Sequence, residues 1–302
     1  MLRFLLLACA LSACGKRAQE DKPESTPEPV VAPQPRQGSA EIASASAGRC
    51  SPLPFAETSP VPEASGAAWL TIDGTLSLVV ISDSGQDGAY AILDPDTGET
   101  REQGKLPLGA AGADIEGFAG RGDRIYGLTS SGWLRAWERK DQGFALVLGP
   151  NPIGGSGMVC GAKKTNCGRN YEGLCLVDPA HAKGPCVGFV AAKADGKLYC
   201  LVDQNGTYVA KHELSIPVAK PGAIADCAFA DDGTLWVGSN LFDLAQVYRV
   251  EGWDAPKTAK VTPFAQLGIG FPEVIAVRGD VVYRMSDTGG SPSLLAKFRC
   301  AR

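Results

Sequence analysis

The sequence has 302 residues, of which 44% are hydrophobic and 21% are charged, and it includes 37 glycines, 21 prolines and 10 cysteines. This apolar content is sufficient for a folded core, and the excess of glycine and proline is typical of a chain with many turns. The net charge of −4 excludes the basic surface on which nucleic-acid binding depends. Because the chain has only two histidines, His181 and His212, a three-histidine zinc site is also excluded.

The first residues have the pattern of an export signal. Arg3 precedes an apolar run that is too short to span a bilayer and ends in Leu-Ser-Ala-Cys at residues 11–14. This ending resembles the lipobox of bacterial lipoproteins, which implies removal of residues 1–13 and lipidation of Cys14. The alternative is an ordinary signal peptide cut nearby. Gly15 after the cysteine resembles lipoproteins forwarded to the outer membrane, so we expect an extracytoplasmic, lipid-anchored protein at the outer membrane, facing the periplasm or the outside.

A change in composition marks the next segment. Residues 14–50 are rich in Pro, Ser, Ala, Glu and Gln and contain no aromatic residue. Such a segment cannot bury enough apolar surface to offset the entropy lost on ordering. We therefore expect a lipidated, disordered tether over residues 14–50, followed by one folded domain over residues 51–302.

Cysteine usage supports export. Setting aside Cys9 in the signal and Cys14 as the anchor leaves an even number of cysteines, which in an exported chain favours disulfides. Their spacings do not match paired zinc-binding motifs. Cys160 and Cys167 most simply close a small loop. The pairing of four others stays open: Cys175, Cys186, Cys200 and Cys227.

From residue 51 onward, short apolar runs alternate with turns rich in Gly, Asp, Asn and Pro. Examples of such runs are residues 76–81, 124–128 and 234–237, which are rich in β-branched and aromatic residues. No segment maintains a helical apolar period over three turns. The pattern predicts an all-β fold.

A unit of about 50 residues recurs five times, with openings near residues 65, 116, 172, 226 and 273. Each opening starts an apolar strand, followed by a turn and a second strand, and in four units the second strand ends in a small polar cluster. A repeated four-stranded unit of about 40–50 residues predicts a β-propeller blade. We predict five blades; six are the alternative if the insertion at residues 150–170 supplies strands.

The ring must close, because a blade buries its apolar faces only against its neighbours. The last unit has room for three strands, so its outer strand is expected from the segment around residues 53–56, pairing with the last blade. This closure would bring Cys50 beside Cys300, and a disulfide there would join the two ends of the domain. The alternative is that these two cysteines pair elsewhere.

The five strand openings supply the candidate site. In a propeller the first strand of each blade lines the central channel, so residues in register meet at one level. Crowded carboxylates repel by several kcal/mol at an effective dielectric of about 20 and need raised pKa values, water or a cation as compensation. Oxygen ligands of this kind suit Ca²⁺ or Mg²⁺, and Ca²⁺ tolerates an irregular cage better. The candidate metal ligands are Glu116, Glu172, Asp226, Glu273 and Asp114, with Ser65, Asn170 and Arg169 as ligand-binding residues.

The alternative for these acids is a structural role, in which they face solvent or accept hydrogen bonds from backbone amides of the next blade. Two other acidic stretches are interpreted as turns. Residues 94–99 lack the acid that a calcium loop needs at its twelfth position, and residues 83–87 have Gly85 where a ligand belongs.

Three openings resemble a known family. Residues 114–119, with Asp114-Ile115-Glu116-Gly117, residues 170–174 and residues 271–276 resemble the strand openings of the SdiA-regulated domain family and of the related phytase-like esterase propellers. The resemblance implies an extracytoplasmic propeller with acidic, calcium-binding channel residues. The chain departs from it at Asp226-Cys227 and at Val274, where Glu-Gly and Gly are expected.

Two hypotheses of function follow. The first is a membrane-anchored extracytoplasmic propeller that binds Ca²⁺ at its channel and serves as a binding or scaffold module. The second is a metal-dependent hydrolase of the phosphoesterase or lactonase type, in which Glu116, Glu172 or Glu273 acts as general base. We expect a monomer whose partners are the membrane, through the lipid, and an unidentified extracytoplasmic ligand or protein.

Overall fold

The computed structural model of the chain describes residues 49–155, 157–240 and 245–301. The expectations for the signal peptide, for Cys14 and for the tether up to residue 48 lie outside the described residues. Within those residues, no helix has the length and apolar character needed to cross a bilayer.

The described residues form strands, joined by turns and by two short 3-10 segments at Pro179–His181 and Pro256–Thr258. The strands, in chain order, are β1 (Cys50–Leu53), β2 (Thr58–Pro62), β3 (Ala64–Ile72), β4 (Thr75–Ser82), β5 (Ala89–Leu93), β6 (Thr100–Lys105), β7 (Ile115–Arg121), β8 (Arg124–Thr129), β9 (Trp133–Lys140), β10 (Gly143–Pro152), β11 (Tyr171–Leu176), β12 (Gly188–Ala192), β13 (Lys197–Gln204), β14 (Thr207–Pro217), β15 (Ile224–Phe229), β16 (Leu235–Ser239), β17 (Gln246–Glu251), β18 (Lys260–Gln266), β19 (Phe271–Arg278), β20 (Val281–Asp287) and β21 (Pro292–Cys300).

These strands form five antiparallel sheets, each a blade. Blades 1 to 4 are the consecutive quartets from β3 to β18, and blade 5 consists of β19, β20, β21 and the N-terminal strands. The innermost strands β3, β7, β11, β15 and β19 pack side by side in a closed ring. The predicted five-bladed propeller is confirmed, and the insertion at residues 150–170 does not supply a sixth blade.

The predicted closure by an N-terminal strand is also confirmed, but the pairing strands lie at residues 50–53 and 58–62, on either side of most of the predicted segment at residues 53–56. Strand β1 pairs with β21, with Cys50 opposite Cys300, and β2 continues along the same edge, with Thr58 opposite Leu294. The segment between the two strands leaves the edge of β21, and the Ala56 amide donates to the Thr97 carbonyl of blade 1. The N-terminal strand therefore completes blade 5 and also contacts blade 1.

Four disulfides support this framework. Cys50 pairs with Cys300, and Cys160 pairs with Cys167. The four cysteines whose pairing the sequence left open form the Cys175–Cys227 bond, which joins β11 to β15, and the Cys186–Cys200 bond within blade 3. Disulfides persist in oxidising compartments, so they indicate that the protein is extracytoplasmic.

The inner strands approach so closely that several positions accept only glycine. A methyl group on Gly117 of β7 would lie 2.5 Å from the Leu174 nitrogen of β11. Similarly, a methyl group on Gly66 of β3 would lie 2.5 Å from the Phe118 Cβ, and one on Gly173 would lie 2.7 Å from the Asp226 Cα. The glycine that follows the opening residue in blades 1, 2 and 3 thus allows neighbouring inner strands to pack closely around the channel.

We expect Gly117→Ala to lower the free energy of unfolding by about 3 kcal/mol or more, because the clash involves backbone atoms that cannot rotate away. For a domain of this size, that corresponds to a fall in melting temperature of roughly 6–12 °C. Gly143→Ala is the matched control, since a methyl group there meets nothing within 4 Å. Equal melting temperatures for the two variants would contradict the close packing of the inner strands.

Candidate metal centre

Every inner strand begins with a β-bulge, in which one extra residue faces the partner strand. The register between the first two strands of each blade skips one residue at this point. A bulge re-aims the side chain of its extra residue and is common beside functional sites. Because the inner strands surround the axis, the five bulged residues lie at one level of the channel. They are Ser65, Glu116, Glu172, Ala225 and Glu273.

The expectation that Asp226 shares this register is wrong. The bulge of blade 4 falls on Ala225, so Asp226 occupies the position that is glycine in blades 1 to 3. Its Oδ2 accepts from the Ile275 amide at 3.1 Å, and its Oδ1 accepts from the Cys227 amide at 2.7 Å. Burial raises the pKa of Asp226 well above its usual value, against the effect of these amide bonds. Asp226 thus has the structural role that the sequence left as the alternative.

A second tier of polar residues lies directly above the bulges. Each comes directly after the residue of the second strand that pairs with the residue just before the bulge. Four of these polar strand ends are visible in the sequence, where no role was predicted for them, and the fifth, in blade 3, was not predicted. The tier consists of Asp83, Ser130, Lys193, Asn240 and Asp287.

Three carboxylates form a tight cluster between blades 1 and 2. One oxygen each from Asp83, Asp114 and Glu116 lies within 4.8 Å of the other two. Asp114 and Glu116 are only 3% and 6% exposed. Asp114 accepts from the Ser130 hydroxyl, and Asp83 accepts from the Ser84 amide. The turn interpretation of residues 83–87 missed that Asp83 reaches the site.

Glu116 has no partner within the part of the chain that the structure describes. No hydrogen bond or ion pair joins its carboxylate to another group there, although nine-tenths of the residue is buried. Burial, and then the charges of Asp83 and Glu172, raise the pKa of Glu116 well above its usual value. A buried carboxylate without a compensating donor is costly. The cluster is therefore suited to a cation.

Glu172 differs from Glu116, because both of its oxygens have donors. Asn170 Nδ2 donates to Oε1 at 2.7 Å, and Lys193 Nζ donates to Oε2 at 2.8 Å. Burial raises the pKa of Glu172 in spite of the Lys193 charge. Burial alone would lower the pKa of Lys193, but the charge of Glu172 and its hydrogen bond outweigh burial, so the pKa of Lys193 is raised. Glu172 is thus neutralised by this chain's own lysine.

Glu273 completes the acidic side chains at this level. Asn240 Nδ2 donates to its Oε1 at 3.4 Å. Burial, followed by the charge of Glu172, raises the pKa of Glu273 to about 8. At pH 7 this carboxyl group is therefore mostly protonated.

The other predicted site residues have their own partners. Ser65 lies at the bulge level, but its hydroxyl donates to the Ile115 carbonyl at 2.6 Å. Arg169 pairs with Asp195 at 2.8 Å and stacks over the Tyr199 ring. The structure brings Asp114, Glu116, Glu172, Glu273 and Asn170 to the channel mouth.

The raised pKa of Glu273 predicts a pH-dependent stability. A folded-state pKa of about 8, against about 4.3 in an unfolded chain, means that the folded protein binds more protons between these values. The free energy of unfolding of the metal-free chain should therefore fall as pH rises from about 5 to 8. After discounting for partial solvent contact, we expect a loss of roughly 1–3 kcal/mol. Thermal melts across this pH range measure the loss. In Glu273→Gln the free energy of unfolding should fall less steeply with pH than in the parent. An equal dependence on pH in the two proteins would contradict the prediction.

Comparisons with known proteins add only general similarities. No protein-family model and no curated protein matches the chain. The glutaminyl cyclase of Myxococcus xanthus is similar at 13% identity and a TM-score of 0.48, with 84% of this chain and 97% of that chain covered. A luciferin-regenerating enzyme is similar at 9% identity and a TM-score of 0.40, with 77% of each chain covered. BamB from Moraxella catarrhalis is similar at 16% identity and a TM-score of 0.35, covering 81% and 62%. At such low identities and TM-scores, these similarities establish neither a function nor a site.

Proposed function

We propose that this protein is a lipid-anchored extracytoplasmic propeller that binds one Ca²⁺ ion at the mouth of its channel, between blades 1 and 2. The ligands are Asp83, Asp114 and Glu116, whose oxygens lie within 4.8 Å of one another. The single observation that carries the proposal is the Glu116 carboxylate, which is nine-tenths buried and has no partner among the described residues.

The donor set favours Ca²⁺ over other metals. The cluster offers carboxylate oxygens and no histidine or thiolate, a pattern that suits hard cations. Ca²⁺ accepts six to eight oxygens in irregular arrangements, whereas Mg²⁺ demands a near-ideal octahedron. The three ligands come from the end of β4 and the start of β7, on two different blades. Bound Ca²⁺ would therefore also link the two blades.

The lipid anchor and the resemblance to SdiA-regulated domains are also part of this proposal. The lipobox-like residues 11–14 support a lipid anchor at Cys14, the composition of residues 14–50 supports a tether, and Gly15 supports forwarding to the outer membrane. The acid–glycine pairs Glu116-Gly117 and Glu172-Gly173 support the resemblance to SdiA-regulated domains. In both pairs the acid occupies the bulge and the glycine permits contact between blades. A binding or scaffold role is the function that this arrangement supports best.

A metal-dependent hydrolase is the second candidate, and two features of the site favour it. Three protein carboxylates leave coordination positions of Ca²⁺ open for a substrate oxygen. Glu273, with a pKa of about 8, has the proton affinity of a general acid or base working near neutral pH. The substrate class would be a phosphoester or a lactone.

Calorimetric titration tests the proposal on the full-length chain, purified in detergent and freed of divalent ions with a chelator. We expect one Ca²⁺ per chain, weaker binding of Mg²⁺, and tighter Ca²⁺ binding as pH rises, because protons compete for the Glu116 carboxylate. Absence of Ca²⁺ binding would overturn the proposal. A screen of phosphoesters and lactones then separates the two candidates. Turnover that the chelator abolishes supports the hydrolase, and its absence in the Ca²⁺-loaded protein supports the binding module.

A further inference from the structure

The loop between β10 and β11 is connected to the carboxylate cluster by hydrogen bonds through residues of blade 2. It is closed by the Cys160–Cys167 disulfide, which spans 7 residues. The Cys160 amide donates to the Ser131 carbonyl at 2.9 Å, and the Trp133 indole donates to the Cys160 carbonyl at 2.9 Å. The loop is thus attached to the turn between β8 and β9, where the second-tier residue Ser130 lies.

Ser130 connects the loop to a carboxylate of the cluster. The Asn166 amide of the loop donates to Ser130 Oγ at 2.8 Å, and Ser130 Oγ donates to Asp114 Oδ2. Ser130 is fully buried. Because the Asn166 amide occupies an acceptor position of the hydroxyl, the single hydroxyl proton is directed to Asp114. The loop backbone therefore orients the donor that holds Asp114.

The loop also holds the segment that precedes Asp114. The Gly112 amide donates to the Ala162 carbonyl of the loop at 2.9 Å. On the other side, the Gly112 carbonyl accepts from Arg135 Nη2 at 2.5 Å, and Arg135 is fully buried. Asp114 is thus fixed through its side chain and through the backbone two residues before it.

The disulfide needs a specific loop conformation. Gly168 has a φ of +65°, and a methyl group there would lie 2.9 Å from Cys160 Sγ. Asn166, whose amide reaches Ser130, also has a left-handed conformation, with a φ of +47°. The disulfide and these two residues define the shape of the loop that contacts Ser130.

We propose that the disulfide-closed loop, Cys160 to Cys167, positions Asp114 for the cation, and that Ser130 is the positioning residue that transmits this constraint. The inference rests on the proposed Ca²⁺ site and goes beyond it, because it assigns the affinity of the site to residues that do not touch the ion. In this arrangement the cost of ordering Asp114 is met during folding, so less is lost when Ca²⁺ binds.

A double-mutant cycle tests the inference by Ca²⁺ calorimetry on the full-length chain in detergent. We expect Ser130→Ala to weaken Ca²⁺ binding about tenfold, the size typical of one hydrogen bond to a charged group. The joint substitution Cys160→Ser with Cys167→Ser, which leaves no free thiol in the loop, should weaken it by a similar factor. Combining all three changes should add little further, because both act through the same contact.

Ser131→Ala is the matched control. Ser131 is a neighbouring buried serine whose hydroxyl pairs with Thr129 Oγ1 at 2.9 Å rather than with Asp114. It should leave Ca²⁺ affinity within about twofold of the parent. The melting temperature without Ca²⁺, measured for all variants, separates positioning from general destabilisation. Positioning predicts that Ser130→Ala and Ser131→Ala melt alike and differ only in Ca²⁺ affinity.

The outcomes are distinct. If the parent protein binds Ca²⁺ but Ser130→Ala binds it equally well or more tightly, the positioning role is wrong while the proposed function stands. The same conclusion follows if the fold-losses in Ca²⁺ affinity caused by Ser130→Ala and by the cysteine substitutions multiply when the changes are combined. The loop and the serine would then act independently. If the parent protein does not bind Ca²⁺, both the function and this inference are wrong.

Discussion

Glu116→Gln should weaken Ca²⁺ binding at least 100-fold. Glu116 is nine-tenths buried and has no donor among the described residues, so bound Ca²⁺ would be its main compensation. The substitution keeps the size of the side chain but removes the charge, and a neutral amide oxygen is a far weaker ligand for a hard cation. Because the variant no longer buries an unpaired carboxylate, we expect its metal-free form to be at least as stable as the parent. Calorimetry and thermal melts measure the two effects.

Glu172→Gln is the matched control for this prediction. Glu172 lies at the same bulge position in the next blade and is just as buried, with 5% exposure. Its two oxygens already accept from Asn170 and Lys193, so we expect it to stay outside the ligand set. Its loss should weaken Ca²⁺ binding less than about tenfold, through long-range charge alone. Equal losses in the two variants would instead indicate an ion on the channel axis, shared by all the bulged acids.

The contrast between Glu116 and Glu172 shows how far the sequence predicts this site. The repeat spacing is sufficient to predict five blades, the closing strand and the level at which the acids converge. It does not specify which acid has a neighbour of opposite charge. Lys193 follows the second strand of blade 3, the one unit in which the sequence shows no small polar cluster at this point, so its role depends on contacts that repeat alignment does not reveal.

Asp226 shows a different limit. Its alignment with the glutamates rests on chemical similarity, since an acid follows an apolar residue in four of the five units. The bulge, however, adds one residue to the inner strand, and a shift of a single residue in a strand changes the direction of its side chain. The structure places the bulge on Ala225, so Asp226 accepts amides of its own strand and of β19. Sequence periodicity predicts strands reliably, but it does not place a bulge.

Removing the Cys50–Cys300 disulfide should have the largest effect on stability. In the chain-entropy model, a bond that spans 250 residues restricts the unfolded chain by about 5 kcal/mol. Replacing both cysteines with serine should therefore lower the melting temperature by roughly 10–20 °C. The folded structure adds a reason, because β1 pairs with β21 through four residue pairs and, among the described residues, has no partner strand on its other side. Without the disulfide, this short edge strand is free to separate from blade 5.

The Cys160–Cys167 bond provides the comparison, since it spans 7 residues and lies outside the closure. The same entropy model assigns it about 2–3 kcal/mol, so its double serine variant should melt well above the Cys50–Cys300 variant. For Ca²⁺ binding the order should be reversed, and the Cys160–Cys167 variant should bind Ca²⁺ more weakly than the Cys50–Cys300 variant. The reason is that the small loop contacts Ser130, whereas the closure lies in blade 5. If both variants melted at the same temperature, the N-terminal strand would hold the ring closed by its packing alone, and the disulfide would be dispensable for closure.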